Sequence, residues 1–83
     1  MELKDTIKMM TSADYKERFK AEYYQLKIRV EKLTAMLNKY KAGELNFTPS
    51  CSYETLFEQL ICMKHYLSML EKRAEIEGIN LKE

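Results

Sequence analysis

Apolar residues recur along this chain at intervals that alternate four and three. In the first half the series is Phe19, Tyr23, Leu26, Val30, Leu33, Leu37 and Tyr40. In the second it is Tyr53, Leu56, Leu60, Met63, Leu67, Leu70 and Ala74. This period keeps one face of a helix turned toward a partner helix. Gly43 and Pro49, both helix breakers, fall between the two series. Two helices joined by so short a break fold back on one another. The pattern therefore predicts an all-α chain built as a long antiparallel two-helix hairpin.

Local signals place the ends. Helix one is expected from about Ala13 to about Ala42, roughly 45 Å at 1.5 Å per residue. Thr11, Ser12 and Asp14 offer N-caps, and Asp14 with Glu17 has capping-box spacing. Gly43 is placed to end the helix in a left-handed cap. Residues 43–50 form the connection, with Leu45 and Phe47 expected to tuck against the hairpin end. Pro49 suits the first turn of helix two with Thr48 as its cap, Ser50 and Ser52 being the alternatives. Helix two is expected over 51–77, with Gly78 as its stop and Ile79 and Leu81 folding back in a Schellman-type contact. The hairpin domain thus spans 13–78. Residues 1–12 form an N-terminal arm, in which Leu3, Ile7 and Met10 lie at helical spacing, and residues 79–83 form a tail.

One seam between two helices leaves apolar surface over. Of the 83 residues 46% are hydrophobic, among them six Met, six Tyr and three Phe, and a thin hairpin buries little. Helix two carries a second stripe, Cys62, Tyr66, Met69, Arg73 and Ile76, with Phe57 and Ile61 beside it. Helix one has a shorter counterpart in Tyr24, Ile28 and Ala35. One stripe serves the hairpin and the other calls for another chain, so a homo-oligomeric helical bundle or a protein partner is expected. Arg73 interrupts the second stripe. Either its stem lies along the seam and its head reaches water or a Glu of a neighbouring chain, or it binds an anion and is repeated by symmetry at an oligomer axis.

Charge changes this picture little. The net charge is +1, from 14 basic and 13 acidic residues, interspersed as on solvated faces. This argues against a nucleic-acid polymer or an anionic membrane as partner. No stretch has the apolar length of a membrane span, and residues 1–10 lack the apolar core of a signal peptide, so a cytoplasmic location is expected. Cys51 and Cys62 are too few for a disulfide framework and read as small hydrophobic fillers. Tyr15, Phe19, Tyr23 and Tyr24 crowd the start of helix one among Lys16, Arg18, Lys20 and Lys27. Aromatics and cations so interleaved can stack bases and hold phosphates. Phe19 and Tyr23, on the main stripe, read as core; for Tyr15 and Tyr24 both readings stay open.

Catalytic chemistry is not expected. His65 is the single histidine; it shares a helix face only with Cys62, and zinc needs three or four ligands. Two glycines in the whole chain make no phosphate loop, no triad-like arrangement appears, and no cofactor is implied.

Several segments resemble one family. Glu17-Arg18-Phe19-Lys20-Ala21-Glu22, followed by Leu26, Glu31-Lys32-Leu33 and Leu37, is similar to the first helix of small phage helical-hairpin proteins. Glu58-Gln59-Leu60-Ile61-Cys62-Met63, then Tyr66-Leu67 and Leu70-Glu71-Lys72-Arg73, resembles their second helix. The group is the one shared by the phage anti-CBASS sponge and the hairpin part of the Thoeris anti-defence sponge, and the resemblance covers about residues 14–77. It implies a non-enzymatic phage protein acting in the bacterial host cytoplasm. Such proteins assemble as homo-oligomers, typically hexamers, that sequester cyclic di- or trinucleotides or related ADP-ribose signals. It further implies ligand-binding roles for Arg73 toward phosphate, for Lys32 as the basic residue of a pocket between protomers, and for Tyr15 as an aromatic near the helix start. The arm before Met10 and the longer loop at 43–52 depart from the family pattern and bear on access to such pockets.

Overall fold

A computed structural model describes residues 1–82; Glu83, the last residue of the expected tail, lies outside the described residues. The described residues are all-helical, with no strand: a 3₁₀ turn over Leu3–Thr6, then α1 (Ile7–Met10), α2 (Tyr15–Ala42) and α3 (Tyr53–Glu77). The two long helices pack antiparallel. Tyr15 meets Glu77, Tyr23 meets Glu71 and Tyr40 meets Tyr53, which sets the register. The molecule measures 43 × 24 × 19 Å, its long dimension being that of a helix of α2's length at 1.5 Å per residue.

Local chemistry explains the ends. The Asp14 carboxylate accepts the Lys16 N–H at 3.0 Å and starts α2. Glu17 does not close the capping box the spacing suggested; it lies 3.6 Å from Lys20 instead. Gly43 (φ +72°) and Gly78 (φ +68°) end α2 and α3 in the left-handed region, where a side chain would strain the backbone. After each, the chain donates back into the helix: Glu44 N–H to the Lys39 carbonyl at 2.9 Å and Ile79 N–H to the Ala74 carbonyl at 2.8 Å. Ile79 is buried as the Schellman contact requires.

The start of α3 differs from the Thr48–Pro49 expectation. Ser52 is the cap, accepting the Thr55 N–H at 3.2 Å, and the helix begins at Tyr53 rather than at residue 51. Pro49 therefore stays in the connection. A serine hydroxyl supplies the acceptor that the exposed N–H groups of the first turn need, and proline supplies none. Leu45 is half-buried, but Phe47 is 54% exposed and does not tuck in. The hairpin end is closed instead by the rings of Tyr40, Tyr53 and Phe57.

The core follows the two main stripes. Phe19, Tyr23, Leu26, Val30 and Leu37 of α2 and Leu60, Leu70 and Ala74 of α3 are buried, and Leu33, Leu56, Met63 and Leu67 are half-buried beside them. Tyr24 joins this core rather than an outward seam, because the tail folds over it and its hydroxyl donates to the Leu81 carbonyl. The N-terminal arm docks on α2, though not by the face that Leu3, Ile7 and Met10 suggested: Ile7 and Met10 are exposed. Thr6 is fully buried instead. Its hydroxyl donates to the Leu3 carbonyl at 2.7 Å and accepts from Gln25 Nε2 at 2.9 Å.

The second stripe of α3 remains uncovered. Phe57, Ile61, Tyr66, Met69 and Ile76 are 43–75% exposed. Both cysteines are exposed as well, so neither is the buried filler the composition suggested; Cys62 lies on the uncovered stripe and Cys51 in the connection. No described helix is long and apolar enough to cross a membrane.

Candidate functional site

At the open end of the hairpin the start of α2 meets the end of α3, and three polar side chains close a ring. Tyr15 Oη donates to Glu77 Oε1 at 2.7 Å, Arg73 Nη2 donates to Tyr15 Oη at 2.9 Å, and Arg73 Nε donates to Glu77 Oε2 at 3.2 Å. The guanidinium lies over the Phe19 ring, 5.0 Å from its centroid, within cation–π range. Phe19 in turn meets the Tyr15 ring edge-on at 6.3 Å. The fold makes this arrangement. Arg73 and Glu77 are one turn apart on α3, and antiparallel packing brings Tyr15 and Phe19 of the first turns of α2 alongside.

The ring tunes its members. The hydrogen bond to Glu77, then partial burial and the carboxylate's charge, hold the Tyr15 hydroxyl above the ordinary tyrosine range. The bond from Tyr15, followed by the bond and the charge of Arg73, holds Glu77 below the ordinary carboxylate range. The pair with Glu77 keeps Arg73 firmly protonated. Arg73 and Glu77 still leave 46% and 31% of their side-chain surfaces in solvent. The site is therefore a preoriented cation seated over the buried Phe19 ring, open to water beside the exposed Tyr15 ring and in line with the uncovered stripe of Met69 and Ile76.

Tyr15 and Arg73, named separately from the sequence, thus stand together. Lys32 does not join them. It is exposed on α2, about 26 Å along the helix from Tyr15 at 1.5 Å per residue, and lines a groove with Met36, Lys39, Leu45 and Phe47 near the connection. The carboxylate that Arg73 meets is Glu77 of its own chain, where the sequence offered water, a Glu of a neighbouring chain or a bound anion. Sequence reasoning missed Glu77, and it assigned Phe19 to the core without its second contact to Arg73. The spacing of Arg73 and Glu77 by four on one helix was the available signal. Among the described residues no group of three or more His, Cys, Asp or Glu side chains gathers as metal ligands.

The fold and this end-of-hairpin cluster define a small helical-hairpin protein that presents a cation at its open end. Residues 13–76 match the family model described as Sequestin, and the chain belongs to the Sequestin family. The matched span covers α2 and α3 as far as Ile76, and leaves out Glu77 and the N-terminal arm. The family's name points to sequestration of a ligand. No curated protein and no solved structure matches the chain.

Proposed function

We propose that this chain is a phage anti-defence sponge. It binds a cyclic oligonucleotide immune signal, or a related ADP-ribose signal, in the cytoplasm of a bacterial host and withholds it from its receptor without cleaving it. The observation that carries this reading is Arg73, solvent-open and oriented by Tyr15 and Phe19, in a chain of the Sequestin family. A cyclic oligonucleotide offers phosphates to a guanidinium and flat bases to aromatic rings. The work asked of the protein is binding alone, and an exposed ion pair on a thin hairpin offers no enclosed site for chemistry. The uncovered α3 stripe supplies the surface for a homo-oligomer, a hexamer in this reading. Lys32 serves such an assembly only across a boundary between protomers, given its distance from Arg73.

Native mass spectrometry with a panel of cyclic di- and trinucleotides tests the reading. An oligomer that gains a fixed number of ligand masses supports it, and the stoichiometry separates sites between pairs from sites on a symmetry axis. An oligomer that gains none overturns it. The exposure of Phe57, Ile61, Met69 and Ile76 favours a second reading, a hairpin whose stripe binds a host or phage protein with no small ligand. Uptake of nucleotide by the purified chain excludes that alternative.

A further inference from the structure

Arg73 is the cation that a sequestered phosphate needs, and the structure has it already engaged with an anion. Glu77 accepts from the Nε–H, while Tyr15 accepts from an Nη2–H and donates its own O–H to the other Glu77 oxygen. A carboxylate and a phosphate compete for the same donors, because each presents paired oxygens to the guanidinium fork. A phosphate that reaches these donors must therefore take the place of Glu77.

The position of Glu77 adds a second, independent argument. It is the last residue of α3, whose final turn holds no basic residue. The C-terminal end of a helix carries partial negative charge, so a carboxylate there opposes the macrodipole. An Arg-to-Glu pair in this order along the helix is also the weaker of the two orientations. Helix stability thus does not account for an acid at this position, whereas its contacts to Tyr15 and Arg73 do.

We propose that Glu77 is a built-in stand-in for the anionic group of the ligand, resting on the reading that Arg73 is the phosphate-binding residue. In the empty protein it keeps the guanidinium over the Phe19 ring and the Tyr15 hydroxyl aimed at the same point. On binding it yields both donors to the phosphate. Its competition sets a threshold that a weak single anion passes only at high concentration. A ligand that adds base stacking to its phosphate contact does pass it.

The test is Glu77→Gln in the full chain, which keeps the side-chain size and an acceptor oxygen but removes the charge. The readout is the Arg73 Nε–H resonance in ¹H–¹⁵N spectra during titration with inorganic phosphate at fixed pH and ionic strength. The half-saturating phosphate concentration is expected to fall by about fivefold, the scale of one exposed charge pair. An unchanged or higher concentration overturns the proposal, as does a resonance that ignores phosphate in both proteins. Glu77→Asp keeps the charge but withdraws the carboxylate by one methylene. It is expected to shift the midpoint in the same direction by less, and no shift there counts against the proposal equally. Cyclic nucleotides play no part in this titration, so the two readings fail separately. A chain that takes up phosphate more readily without Glu77 but binds no cyclic nucleotide keeps this inference and loses the sponge.

Discussion

Tyr15 and Glu77 lie 62 positions apart in the sequence and share a 2.7 Å hydrogen bond that ties the first turn of α2 to the last turn of α3. The bond places Arg73 between them, and it links the titration of each group to the closure of the hairpin's open end.

The pH behaviour follows from that link. Tyr15 is held above its ordinary range, so its contribution to stability is complete below the unfolded tyrosine value and is lost as pH rises through the folded one. Glu77 is held below its ordinary range, so its contribution is present above the unfolded carboxylate value and is lost as pH falls through the folded one. Burial also raises Tyr23, beside Glu71. Residue-resolved ¹³C titration of the tyrosine rings is expected to show Tyr15 and Tyr23 ionising above the ordinary tyrosine range. In Glu77→Gln, Tyr15 alone moves back toward it. A Tyr15 curve that is the same in both proteins contradicts the hydrogen-bonded ring.

Arg73→Ala removes the cation while leaving the core stripes intact, since Arg73 is exposed. Binding of any cyclic nucleotide that the native chain retains is expected to weaken at least about tenfold, as for loss of a charge-assisted contact. The far-ultraviolet circular dichroism and oligomer mass should stay unchanged. Full affinity in this variant removes Arg73 from the binding site.

Leu70 has no solvent exposure and sits where α3 meets α2. Leu70→Ala leaves a cavity and is expected to cost about 2–5 kcal/mol. For a domain of this size that lowers the melting temperature by on the order of 10 °C or more. Differential scanning calorimetry measures it, and a drop of only a degree or two would show that the two helices re-pack freely.

A buried hydroxyl helps to hold the arm, beside the packing of Met9 on the core and the Arg18 bond to the Ser12 carbonyl. Thr6→Val keeps the shape but removes the hydroxyl's bonds to the Leu3 carbonyl and from Gln25 Nε2, which keeps only its contact to Met10 Sδ. The expected loss is about 1–2 kcal/mol, confined to the arm. Hydrogen exchange over residues 3–10 should quicken while α2 and α3 stay protected. Uniform loss of protection along the chain would show instead that the arm folds with the hairpin as one unit.

Ile76 is 75% exposed and Met69 43%. A charge at either position costs the isolated hairpin little, because neither side chain is buried in it. Ile76→Asp and Met69→Asp are therefore expected to keep full helicity and to abolish association through the stripe. Analytical ultracentrifugation reads the association, and a sedimentation profile that matches the native chain rules the stripe out as the interface.

The sequence by itself determined the hairpin. Seven apolar positions at alternating spacing fix which face of each helix is covered. Gly43 and Gly78 fix where each helix stops, because a left-handed cap is a local demand that one residue type meets cheaply. The uncovered stripe was legible for the same reason: periodicity shows how many faces are apolar, and two helices bury only one each. Tertiary structure alone decided how Tyr15, Phe19, Arg73 and Glu77 meet. Their encounter depends on the register of one helix against the other, which a repeating pattern leaves free to slide by a whole turn. Tertiary structure also decided that Tyr24 is core and that Thr6 anchors the arm. Both depend on short terminal segments, the tail that lays Leu81 over Tyr24 and the arm that carries Thr6 onto Gln25, too brief to carry a periodic signal of their own. The ring at the open end is thus a product of packing, assembled from residues that each look ordinary in the chain.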